Sequence, residues 1–415
     1  MNPQNLESML QTRFDDCELG NSRNALLPMI GNGIFTQDGV AWKHSRHVLR
    51  RQFVRMQRQD TKIFDGPVND LLADLQSRSE GVVDLQPAFF RFTLAFDYIS
   101  LTSAIRMRLA DWCWMYNPPA YSKACDVFHR YASHYVSQTL DDMSKNREEA
   151  ATARHPFISD LLKEFRNPDL VRDQLMNVLL AGRDTTACLM SWACYQLIRR
   201  PACLERLRQE ILLSTQDGED LTRAQINKMT YLRCVLNETN RLYTQILVNV
   251  RIARRTTYQP RGAGPTGDSP LLIPKGAGVG FSAYHMHRSK EIYGPDAEGF
   301  RPERWEGPEL KNIGFGFMPF RGGPRTCLGS KFQQRPPSPH PLILERTMAD
   351  GPFFAEAFAL TEASFALVRV LQAFPDLRRA TETSKVPPGR EKQTLTLVVS
   401  SAEGCKVLLH LVGYV

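Results

Sequence analysis

The chain has 415 residues, 42% of them hydrophobic, with a formal net charge of +8 and nine cysteines. That length and apolar share allow a sizeable buried core and mark a globular chain. The positive charge is spread without a block of like charges, which argues against a nucleic-acid arm, and an odd set of cysteines with no CxxC pair fits neither a disulfide framework nor a zinc site and suits a reducing compartment.

The opening "MNPQNLESMLQTRFDDCELG" has no basic start followed by an apolar core, so it reads as neither signal peptide nor membrane anchor, and no apolar run approaches the ~18 residues of a spanning helix. From about Asp38 to Gln259 helix follows helix. The longest candidate, Val171 to Arg200, is apolar on nearly all sides and is expected to run through the core. Gly182, Arg183, Asp184, Thr185 and Thr186 interrupt its centre. Glycine is a poor helix former and threonine hydroxyls compete for backbone carbonyls, which predicts a local opening or kink there. Pro260 to Pro274 reads as a turn or loop region beside short strands such as "LLIP". After Ile292 the chain is irregular up to a cysteine-bearing loop, a further helix is predicted over Phe358 to Phe374, and "TLTLVV" reads as a short strand. The expected class is mainly α with a minor β part.

The loop "FRGGPRTCLG", Phe320 to Gly329, sets one cysteine among glycines, a proline and two arginines. A thiolate can ligate haem iron, attack a substrate, hold zinc or pack in a core. Zinc needs several ligands, and Cys327 has no second Cys or His within ligand spacing. A nucleophile wants a nearby general base, of which the sequence gives no positive sign. The surroundings favour iron: Gly323 and Gly329 let backbone amides approach the sulfur, Phe320 can shield it from water, and Arg325 offers a cation for an acidic group of a cofactor.

These residues match F-x-x-G-x-R-x-C-x-G, and the loop resembles the haem-binding loop of cytochrome P450 monooxygenases. Further segments follow in the family's order. "AGRDTTA" resembles the central-helix motif whose acid and alcohol, Asp184 and Thr185, handle protons beside the iron. "ETNR" supplies Glu238 and Arg241 at i, i+3, and "FRPERW" supplies Arg304, which in the family closes a buried charge triad. E-x-x-R alone is more often an exposed ion pair; the order of the segments is what gives it weight. "WKHSR" resembles the helix that meets the haem propionates and nominates Trp42 and Arg46, while Arg251 matches another propionate contact. His44, His285 and His287 read as structural.

The resemblance implies one cytochrome P450 domain over residues 1–415, with haem b as cofactor and Cys327 as the axial ligand of its iron. A thiolate ligand favours O–O cleavage, and Asp184 and Thr185 would deliver protons. Electrons would come from NADPH through a separate reductase, since the chain holds no G-x-G-x-x-G unit. "LLPMIGNGIFTQDGVAWKHSR", "DLQPAFFRFTL", "LLAGRDTTA" and "FALTEASFALVR" look most like the fungal alkane-inducible hydroxylases. That likeness implies hydrophobic substrates, n-alkanes or fatty acids oxidised at or near the terminal carbon, and the cytoplasmic face of the endoplasmic reticulum membrane.

Four departures from the family are visible. The fold is expected to be incomplete at the N-terminus, lacking the anchor, hinge and first strands. "FTLAFDYISLTSAIRMRLADWCWMYN" passes directly between two family segments and omits some tens of residues of the substrate roof. An insertion at about 330–357 resembles a translated intron and separates the cysteine from the helix whose dipole would favour its thiolate. Asn240 and Thr244-Gln245 replace a leucine and a proline-containing turn. These departures sustain a second reading, a degenerate relative that has lost haem or activity.

Overall fold

The computed structural model describes residues 2–58, 61–78, 81–90, 94–145, 148–215, 220–328, 358–380 and 391–409. Gly329 and the insertion at about 330–357 lie outside them. The central element is the helix Pro168–Leu197, started by Asn167, whose side chain accepts from the Leu170 N–H, and by a proline in its first turn. From Ala187 to Leu197 it is buried on every side. Helices Pro119–Ser144, Pro156–Phe165, Thr230–Leu242 and Phe358–Ala373 pack against it.

The expected opening at 182–186 does not form, and the helix runs through without a break. The Thr185 hydroxyl does donate to the Ala181 carbonyl, at 2.7 Å. It does so in addition to the backbone ladder, and packing on several sides outweighs the weak local propensity. Two strand readings also change. The strand read at "LLIP" forms within Ser269–Ile273, and part of the stretch read as loop is its partner, Thr257–Ala263, in a bulged hairpin with Pro260 inside the register shift where no ladder N–H is required. "TLTLVV" is not one strand: Gln393–Leu395 folds back on Val399–Ser401, with the Thr396 N–H donating to the Val398 carbonyl at 3.0 Å.

The abrupt join is a folded corner. Helix Leu94–Leu109 passes through a tight turn at Ala110–Met115 to helix Pro119–Ser144. Arg106 is buried there and donates to the carbonyls of Asn24, Ala25, Cys113 and Tyr116. One guanidinium thus ties two carbonyls of the corner to two of helix Ser22–Ile30. Trp112, Trp114 and Met115 face solvent on its outer side.

A three-stranded antiparallel sheet, Cys17–Glu18, Val248–Ala253 and Gly278–Ser282, lies beside the cysteine loop's elements. Its two-residue period puts Asn249, Arg251, Val279 and Phe281 on one face.

Glu238, Arg241 and Arg304 converge as expected. Arg241 grips Glu238 through two bonds of 2.8 Å, and Arg304 Nε adds one of 3.0 Å. The Trp305 indole and the Arg301 N–H complete the carboxylate's donors, while the remaining arginine nitrogens reach carbonyls of His287, Ala297, Gly299 and Tyr293. Beside it His287, fully buried, contacts the Arg241 carbonyl through Nδ1 at 3.2 Å and accepts the Met318 N–H at Nε2 at 2.8 Å. These partners require the neutral ring with its proton on Nδ1, and they tie the triad to the segment leading into the cysteine loop.

Because one acid serves two buried cations, Glu238→Gln is expected to destabilise the chain by about 3–5 kcal/mol in urea titration. Burial pushes the His287 ring from 6.5 down to about 3. The unfolded chain therefore binds the extra proton between those values, and this contribution is present above about 6.5 and lost as pH falls toward 3. His287→Leu should lower stability at neutral pH and flatten the decline across that window; an unchanged slope in pH-dependent melting would contradict the assignment.

Candidate active site

The cysteine loop is shaped by its glycines and an internal backbone bond. Gly323 sits at φ 69°, and a Cβ there would lie 1.8 Å from the Leu10 carbonyl oxygen, so only glycine permits both the turn and the approach of the N-terminal segment. What Gly323 visibly accommodates is therefore Leu10; the approach of an amide to the sulfur is a separate expectation. The Cys327 N–H donates to the Phe320 carbonyl at 3.0 Å, and the Thr326 N–H and hydroxyl both reach the Gly323 carbonyl. Phe320 packs against the main core and Leu328 against the cluster that holds Trp42 and Val171. Cys327 itself is exposed.

Around this loop gather four arginines. Arg325 stands 4.3 Å over the Trp42 ring and donates to the Gln37 carbonyl at 3.0 Å and to Asp38 at 2.5 Å. Arg46 lies 5.8 Å from the same ring, and burial lowers both guanidiniums to about 10. The Cys327 sulfur is near enough for its negative charge to favour the charged form of Arg46. Trp42, buried on helix Gly39–Arg58, is thus a shelf between two cations. Arg251 bonds Asn249 Oδ1 and the Val250 carbonyl, but its Nε has no partner among the described residues.

Sequence reasoning missed the fourth, Arg321, and it missed Asp38. Asp38 accepts from Arg325 and from the Leu19 N–H, and its charge also favours the charged form of Arg251. Arg321 has both terminal nitrogens out of water and unpartnered among the described residues. A cationic pocket with donors to spare fits the carboxylates of a haem, and an accessible thiol beside it fits the iron. The residues present match the group that the resemblance implies.

On the central helix Asp184 is buried and accepts from Arg183 Nη1 at 2.8 Å, and Arg183 Nη2 reaches the solvent-exposed Asp97 at 3.1 Å. Burial is the largest influence on Asp184 and raises its carboxyl from 3.8 to about 6, against the pull of Arg183. A second acid was also missed: Glu362 accepts the Thr186 hydroxyl at 3.4 Å, and burial pushes it up to about 7. An acid inside the otherwise apolar "FALTEASFALVR" is the signal that could have found it. Two facing helices thus place carboxyls that titrate near neutrality on either side of the threonine pair.

Comparison with known proteins agrees with this geometry. The family described as Cytochrome P450 matches residues 98–334. A protein named cytochrome P450 from Arthroderma benhamiae is 38% identical, covering 98% of this chain and 80% of its own length. Cytochrome P450 52A12 of Debaryomyces hansenii is 34% identical over 95% of this chain and 79% of its own, and cytochrome P450 52A1 of Candida tropicalis 34% over 99% and 77%.

A raised carboxyl costs stability once it ionises, so the Asp184 contribution is intact below about 3.8 and is lost as pH rises through about 6, by roughly 3 kcal/mol. Asp184→Asn should remove that loss. Thermal melting between about pH 4 and 7 is expected to fall more steeply for the wild type than for the variant, and equal slopes would refute the burial argument.

Proposed function

The chain belongs to the cytochrome P450 family, and from that premise we propose that it hydroxylates n-alkanes or fatty acids at or near the terminal carbon, with electrons from NADPH delivered by a separate reductase. It is an oxidoreductase of the monooxygenase type, and the family implies haem b. Bound haem supplies the activation of O2 that inserts one oxygen atom into a C–H bond. What the chain's own residues contribute can be derived from their surroundings.

Cys327 is the residue that would hold the iron. Gly323 keeps its loop against Leu10, and Phe320 fixes the backbone that receives the Cys327 N–H. Trp42, Arg46, Arg251 and Arg325 would hold the propionates, neutralising charge that burial would otherwise penalise. Asp184 and Thr185 would manage protons. A carboxyl near 6 is poised to exchange a proton at neutral pH, and Arg183 links it to Asp97 in solvent. The Thr185 hydroxyl, held by the Ala181 carbonyl, is fixed in position one residue away.

The observation that carries this reading is the surplus of buried cationic donors beside an accessible cysteine. The substrate class rests on the segments that resemble the alkane-inducible hydroxylases. Among the described residues no helix is long and apolar enough to cross a membrane. Attachment at the cytoplasmic face of the endoplasmic reticulum, and one domain over residues 1–415, are proposed from the resemblance.

The reduced protein with carbon monoxide should show the red-shifted Soret band of thiolate-ligated haem, and Cys327→His should abolish that band while leaving some porphyrin bound. With a fungal reductase, NADPH and lauric acid, the product should be a hydroxylaurate. Haem uptake without any oxygenated product would point to another haem-thiolate reaction, and no uptake at all to a degenerate relative.

A further inference from the structure

The family pattern leaves the position after Phe320 open, yet this chain places an arginine there under conditions that an isolated cation does not tolerate. Arg321 has φ 68°, a left-handed backbone that disfavours any residue with a side chain. The residue is half-buried as a whole, but Nη1 and Nη2 are both withdrawn from water and have no partner among the described residues. Its guanidinium lies 5.3 Å from the Phe281 ring centroid, and that of Arg251 lies 6.0 Å from the same ring. Arg251 Nε is unpartnered too. Burial and the neighbouring charge of Arg251 depress Arg321 to about 9, the direction expected for two like charges in one apolar site.

Among the described residues no carboxylate bonds to the Arg321 terminal nitrogens or to Arg251 Nε. Asp38 is committed to Arg325 and to the Leu19 N–H. Three unused nitrogens on two desolvated guanidiniums around one phenylalanine require an acceptor with more than one oxygen, which is the form of a carboxylate. Strain in the backbone and an unpaired charge at the same residue are costs a fold retains where something else compensates them.

We propose that Arg321, together with Arg251, binds one carboxylate of the haem beside Phe281, next to the Trp42 shelf where Arg46 and Arg325 stand. This rests on the reading that the chain binds haem. Arg321 is then a cofactor-binding residue that the family's pattern does not specify. A fatty-acid carboxylate has the same chemistry; the cofactor is favoured because Arg321 belongs to the loop that presents Cys327.

The test compares hemin with its dimethyl ester, which lacks the two charges, by quenching of tryptophan fluorescence in the full chain prepared without haem. For Arg321→Met the affinity for hemin should fall by about tenfold to a hundredfold, the worth of one or two charge-assisted hydrogen bonds, while affinity for the ester changes by less than about threefold. Arg321→Lys, which keeps the charge, should recover most of the loss. The haem-free Arg321→Met protein should melt no lower than wild type, because an unpaired buried cation has been removed. Unchanged hemin affinity overturns the proposal, as does an equal fall with both porphyrins, which would mark a merely structural arginine. So does weakened laurate binding by the haem-loaded variant with hemin affinity intact, since the carboxylate would then be the substrate's. Failure of the wild type to take up hemin overturns the preceding reading along with this one, whereas normal uptake by wild type and Arg321→Met alike overturns this one alone.

Discussion

A guanidinium taken out of water must find oxygen, and the chain meets that requirement in two opposite ways. In the Glu238 cluster it is met internally: Glu238 faces two arginines, and Asp296 and carbonyls of the surrounding loop take up the remaining nitrogens. That cluster is a closed structural unit, and His287 extends it, through two directed contacts, to the segment before the cysteine loop. Around the loop itself the requirement is left open. Asp38 answers Arg325, but among the described residues nitrogens of Arg251 and Arg321 remain without partners. Few kilocalories separate a folded domain from an unfolded one, so such an excess of buried charge is tolerable chiefly where a bound anion completes it.

The same economy explains the central helix. Its polar centre is kept helical by packing on several sides, so the Thr185 hydroxyl becomes an additional bond rather than a break. Within that rigid frame Asp184 and Glu362 are desolvated enough to titrate near neutrality. Arg183 then joins the buried acid to Asp97 at the surface. A rigid helix fixes where protons are held, and desolvation fixes the pH at which they move.

The corner at 94–144 shows how a departure from a family pattern can be absorbed. Where the sequence passes directly between two segments, Arg106 turns inward and joins two carbonyls of the turn to two of helix Ser22–Ile30. The apolar residues of that turn, Trp112, Trp114 and Met115, are left outward.

Motif order made the cysteine loop, the Asp184-Thr185 pair and the Glu238, Arg241 and Arg304 set legible, because each depends on residue types at short fixed spacings. The long helix was legible because periodicity is local, although it starts at Pro168 rather than at the Val171 expected from the sequence. The hairpin at Thr257–Ile273 and the reversal within "TLTLVV" were not, since strand pairing and turns are decided by partners elsewhere. Asp38, Arg321 and Glu362 carry no distinguishing spacing, and their roles arise only when distant segments desolvate them together. The amino-acid order by itself determined the family and the helical class, and it nominated Cys327. Tertiary structure alone decided which charges are neutralised within the protein and which are left for a ligand, because burial and partner distance are properties of the assembled fold.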